Sequence, residues 1–65
     1  MQVVVNGFVE TCRAGTRISD IIDRFEERDH ALIVEVNGRF VYPENYSLEL
    51  RDGDRIELIH PAFGG

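Results

Sequence analysis

The sequence contains no lysine, a single cysteine and only two prolines. One cysteine excludes an internal disulfide, and the lack of any CxxC pair or histidine-rich cluster argues against a structural metal. No stretch approaches the ~20 consecutive apolar residues of a membrane span. The opening Met1-Gln2-Val3-Val4-Val5 has no basic segment and too short an apolar run for a secretion signal. A lone cysteine without such a signal fits the reducing cytoplasm, which is the expected location. Basic charge is also scarce, with seven basic against twelve acidic residues and a net charge of −5. That balance excludes ordinary nucleic-acid binding, which rests on neutralising phosphate with Lys and Arg. It suits a basic protein partner instead.

All seven basic residues are arginine. A GC-rich codon bias explains this simply. A second reading is that a chain with a reactive C-terminus gains from having no internal amine to attack it.

What is there is one small domain. Sixty-five residues leave no room for a second, and a domain of ~60 residues buries only ~60% of its unfolded surface. A deep catalytic pocket needs walls that such a chain lacks. Val3-Val4-Val5 and Phe8 to Cys12 predict two strands around Asn6-Gly7, a strong hairpin signal because both residues tolerate positive φ. Thr16 is expected to cap a helix. In that helix Ile18, Ile21, Ile22 and Phe25 fall on one stripe, with Asp20 in the first turn and Arg28 in the last. Ala31 to Val36 and Arg39 to Tyr42 predict a second hairpin around Asn37-Gly38. Pro43 ends it, and one helical turn is expected over Glu44 to Ser47. Asp52-Gly53-Asp54 reads as a turn, since the other ligands of a calcium loop are missing. Arg55 to Ile59 is the last strand.

One apolar stripe on one helix requires a sheet to cover. The order predicts an α+β domain of β-grasp type, a mixed sheet of about five strands with one helix across it. The first and last strands should be parallel neighbours in the middle. The expected core is Val3, Val5, Ile18, Ile21, Ile22, Phe25, Leu32, Val34, Leu50, Ile56 and Leu58. Residues 1–60 form the domain and residues 61–65 a flexible tail.

Gly64-Gly65 is the most informative feature. Two glycines end a chain by chance in about 0.5% of cases. A tail without Cβ atoms can enter a narrow channel and present its carboxylate to an enzyme. The other titratable groups offer little competition. Cys12 on a strand reads as a small hydrophobe, His30 as a solvated residue after the helix, and His60 as a hinge or interface residue where core meets tail. Nothing assembles a nucleophile, base and oxyanion hole, so the chain is expected to act as a carrier and not as an enzyme.

Here the sequence resembles the thiamine-biosynthesis sulfur carrier family (ThiS), along essentially its whole length. The resemblance is carried by Met1-Gln2-Val3-Val4-Val5-Asn6-Gly7, by Val36-Asn37-Gly38-Arg39-Phe40-Val41 with Pro43 after it, by Asp52-Gly53-Asp54-Arg55-Ile56-Glu57-Leu58, and by Gly64-Gly65. It implies a ubiquitin-like protein whose Gly65 carboxylate is adenylated with ATP by a ThiF/MoeB-like enzyme and then converted to a thiocarboxylate. Thiazole synthase would take up the sulfur. The carrier itself would bind no cofactor and no metal, and would be a monomer when free. The surface near the tail, His60, Pro61, Ala62, Phe63 and Gly64, would meet the partners, with Phe63 as an apolar anchor. Pro61-Ala62-Phe63 departs from the family's small or β-branched tail and is similar to the sister family of molybdopterin synthase small subunits (MoaD), whose partner is the large subunit. A ubiquitin-like modifier would also end in Gly-Gly and remains the alternative from another class.

Overall fold

The computed structural model describes residues 1–61. Strand β1 (Gln2–Val5) and strand β2 (Phe8–Thr11) pair antiparallel with Val5 opposite Phe8 and Val3 opposite Glu10. Asn6 and Gly7 make the turn at φ of 50° and 87°, the left-handed pair that matches the twist of a two-residue hairpin. Strand β3 (Ile33–Val36) and strand β4 (Arg39–Val41) repeat the device around Asn37 and Gly38, at φ of 53° and 81°. Pro43–Asn45 forms the single helical turn, of 3-10 type, before the last strand, β5 (Arg55–Ile59).

The sheet order is β2-β1-β5-β3-β4. Strand β5 runs parallel to β1, with Val5 opposite Ile56, and antiparallel to β3, with Val34 opposite Leu58. The last strand therefore occupies the middle of the sheet, the expected β-grasp arrangement.

Helix α1 (Ile18–Arg24) lies across one face. Alternation puts Val3, Val5, Val34, Ile56 and Leu58 on that face, where they are buried with Ile18, Ile21, Leu50 and Cys12. Ile22 and Leu32 pack against this cluster half-buried. Cys12 is 6% exposed and fills space as a hydrophobe does.

Three expectations at the helix need correction. Its cap is Arg17, not Thr16: the Thr16 hydroxyl donates back to the Arg13 carbonyl at 2.7 Å, and the Asp20 carboxylate accepts the Arg17 N–H at 2.8 Å instead. The helix stops at Arg24, short of Arg28. Glu26 turns left-handed at φ 55°, Glu27 N–H donates to the Ile22 carbonyl at 3.1 Å, and Glu26 N–H to that of Asp23 at 3.0 Å. Those two bonds are the Schellman ending, formed here around a glutamate where glycine is usual. Phe25 is consequently the residue at the end of the helix. It stands 38% exposed and outside the core, because the stripe loses its periodicity where the helix unwinds.

Candidate functional site at the root of the tail

The site is built around the end of β5. That strand is held on both flanks by backbone ladders, and the asparagines of the two hairpin turns extend the hold. Asn6 Oδ1 accepts the Leu58 N–H at 2.7 Å and Asn6 Nδ2 donates to the Leu58 carbonyl at 3.3 Å, beyond the point where β1 has ended. Asn37 does the same at the other end of the strand. Its Oδ1 accepts the Arg55 N–H at 2.9 Å, while here the donor to the Arg55 carbonyl, at 2.7 Å, is the Asn37 backbone N–H. An amide side chain both donates and accepts, so it can stand in for a strand residue. Reading Asn6-Gly7 and Asn37-Gly38 as turns only was incomplete. The signal available was asparagine at both first turn positions, but its partner strand lies elsewhere in the chain.

The turn Asp52-Gly53-Asp54 uses its carboxylates for structure. Asp52 accepts from Gln2 N–H at 2.7 Å, and Asp54 from Arg51 N–H at 2.7 Å and from Asn37 Nδ2 at 3.0 Å.

The face of the sheet away from α1 is open. Register places Ile33 opposite Ile59, Glu35 opposite Glu57 and Phe40 opposite Glu35 on it. Phe40 and Tyr42, 50% and 59% exposed, meet edge to face at 4.7 Å between ring centroids. Glu35 and Glu57 face each other as like charges, a mildly unfavourable pairing. They line a shallow cleft of about 310 Å³ with Asn37 and Arg55. This face thus offers exposed aromatics beside a pair of acids, one of them on the strand that leads to the tail.

His60 and Pro61 follow β5 directly. His60 Nε2 lies 2.7 Å from Glu27 Oε2 and His60 Nδ1 lies 3.6 Å from Asp29 Oδ2. Asp29 is held below the usual carboxylate range, chiefly because Ala31 N–H donates to its Oδ1 at 2.9 Å, and secondarily through His60. Glu27 and Asp29 also wall a groove of about 620 Å³ whose floor includes Ile22, Leu32 and Tyr46. His30 is exposed on the same loop. Of the residues expected to form the site, His60 and Pro61 sit at the root of the tail as placed above, while Ala62, Phe63, Gly64 and Gly65 lie outside the described residues. Among the described residues, no helix is long and apolar enough to cross a membrane, and no group of three or more His, Cys, Asp or Glu is arranged to hold a metal ion.

Residues 3–65 match the family model of the ThiS family. The chain belongs to the ThiS family. It is 26% identical to the sulfur carrier protein ThiS of Escherichia coli (strain K12) over 66 residues, spanning 100% of both chains. In fold it is similar to the crystal structure of the thiamine biosynthesis protein (ThiS) from Geobacter metallireducens, with a TM-score of 0.82 at 23% identity and 100% of both chains covered. It is also similar to the solution structure of a thiamine biosynthesis protein from Geobacter metallireducens, at a TM-score of 0.73, 24% identity, and 100% and 88% coverage of the two chains. These likenesses bear out the β-grasp reading of the ThiS chain described here.

Proposed function

We propose that this chain is a sulfur carrier of thiamine biosynthesis, acting as a protein co-substrate through its C-terminal Gly65. The observation that carries the reading is the central, doubly clamped β5, which ends at Ile59 and is followed in sequence by His60-Pro61-Ala62-Phe63-Gly64-Gly65. A group carrier needs a stiff root and a slender end: the root is what a partner grips, and the end is what enters its channel. A carboxylate is a poor electrophile. Adenylation by an ATP-using ThiF/MoeB-like enzyme gives it a leaving group, and sulfur then displaces AMP to leave a thiocarboxylate. Thiazole synthase is the acceptor's enzyme in this reading. The chain supplies position and the partners supply chemistry.

Docking uses the open sheet face, where Phe40, Tyr42 and Ile59 supply apolar anchorage and Glu35 and Glu57 meet basic residues of the partner. Aromatic anchors dominate interface energies, and the acidic pair speeds encounter. Phe63 and Gly64 complete the contact from the tail.

Incubation with a ThiF/MoeB-like enzyme, ATP and a sulfur donor should raise the intact mass by about 16 Da as one oxygen becomes sulfur, and the product should behave as a thiolate-like nucleophile. Removing Gly65 withdraws the carboxylate by ~3.5 Å and should abolish the change. Gly64→Val should block it by placing a branched side chain in the channel. A Gly65 deletion that gains sulfur as fast as the intact chain would overturn the reading.

A further inference from the structure

We propose that His60 is a positioning residue: its imidazole, seated between Glu27 and Asp29, fixes the direction in which the tail leaves the sheet. The functional consequence rests on the carrier reading above, but the latch itself lies wholly within the described residues.

Backbone pairing of β5 ends with Ile59 opposite Ile33. Among the described residues no strand pairing continues beyond it, and the next residue makes the only salt bridges among them. The anchor is firm. The Glu27 side chain is 19% exposed against 52% for His60, so the imidazole is tied to the more enclosed partner. Glu27 is set by the left-handed turn at Glu26, and Asp29 by the N–H of Ala31. The Asp29 carboxylate is therefore in place whether or not the imidazole arrives, and the backbone that carries Glu27 is fixed beside it.

Both ring nitrogens face carboxylate oxygens. A neutral imidazole has one N–H to give, so both contacts are favourable only for the doubly protonated ring. Loss of the second proton turns one contact into an encounter of two acceptors. The other charged or titratable groups on that loop are Glu26, Arg28 and His30, all exposed, and the chain neighbours Ile59 and Pro61 carry no charge. A tail aimed by the latch gives up less freedom on entering a partner's channel, so the gain falls on binding.

The test has two arms. In the first, His60 ring ¹⁵N shifts and backbone amide relaxation at Ile59 and Ala62 are followed against pH. Amide order should fall in step with loss of the second ring proton, and this dependence should vanish in Glu27→Ala. Independent titration and relaxation, or an unchanged Glu27→Ala variant, would overturn the proposal. In the second, His60→Ala and Glu27→Ala should each raise KM for the adenylating enzyme about 3–10-fold with kcat little changed, and the double variant should be no worse than either. His60→Gln, which keeps one donor, should recover part of the loss. Equal KM values in all variants, or a loss confined to kcat, would refute a positioning role. If the intact chain is not adenylated at all, the carrier reading fails while the first arm still decides the latch.

Discussion

Asn6 holds Leu58 by both of its backbone polar groups, accepting from the N–H at 2.7 Å and donating to the carbonyl at 3.3 Å across 52 residues of sequence. The side chain thereby continues the β1 edge past its last residue and steadies the strand that carries the tail. Asn6→Ala should lower unfolding free energy by about 1–3 kcal/mol, since both Leu58 groups lose their partner and the turn loses a residue at ease with positive φ. Asn6→Gly keeps the turn and should lose less. Urea melts of the two variants separate the clamp from the turn. Equal midpoints for Asn6→Ala and the unaltered chain would show that the clamp contributes nothing.

Glu26 makes the opposite case, a residue working against its own backbone preference. At φ 55° a side chain with a Cβ is disfavoured by about 1 kcal/mol. Glu26→Gly should therefore stabilise the domain by up to about 1 kcal/mol, less the extra freedom glycine gives the unfolded chain. Thermal denaturation decides it, and a lower Tm for the glycine variant would contradict the Schellman reading of this end.

Asp29 supplies a pH dependence with a definite sign. Its carboxyl is held below the ordinary value, first by the Ala31 N–H and then by His60. A group with a depressed folded-state pKa contributes stability above its unfolded value of about 3.9, and the contribution fades as pH falls through the lower folded value. Asp29→Asn should thus lower Tm at neutral pH, and the gap to the unaltered chain should close in strong acid. A gap that stays constant down to acid pH would mean the carboxyl titrates normally.

Phe40 and Ile21 test surface against core. Phe40→Ala should weaken adenylating-enzyme binding by roughly 2 kcal/mol, while moving folding stability by less than about 0.5 kcal/mol at an exposed site. Ile21 is fully buried. Ile21→Ala should cost about 2–5 kcal/mol of stability through the cavity it leaves. Calorimetry of binding and of unfolding on the same two variants would expose any reversal.

Element order and core were legible because the patterns are local. Val3 with Val5, and Ile56 with Leu58, alternate at the strand period, Ile18 and Ile21 recur at the helix period, and Asn-Gly marks both hairpins. The helix end was not legible, because a glutamate in the left-handed position carries none of the signal a glycine would, and Phe25 was drawn into the stripe as a result. The second role of Asn6 and Asn37 escaped because it depends on which strand lies beside the turn. His60 was placed at the junction of core and tail, but its carboxylate partners come from a loop whose path follows from that unforeseen ending at Glu26. The chemistry assigned to Gly64 and Gly65 comes from sequence and family alone, as both lie outside the described residues.

The parallel pairing of β1 with β5 also settles how the domain bears load. Val4 lies opposite Arg55 and Val5 opposite Ile56, both strands running the same way. Tension applied between the start of β1 and the end of β5 pulls the two strands lengthwise past each other. Every rung of that ladder, with Val4 N–H to Asp54, Asn6 N–H to Ile56 and the Asn6 amide to Leu58, is then strained at once. An outer hairpin such as β3–β4 would instead open one rung at a time. On the carrier reading proposed above, an enzyme that draws the tail into its channel while holding the domain at β1 would load this ladder in shear, and the domain should stay folded while its end is worked on.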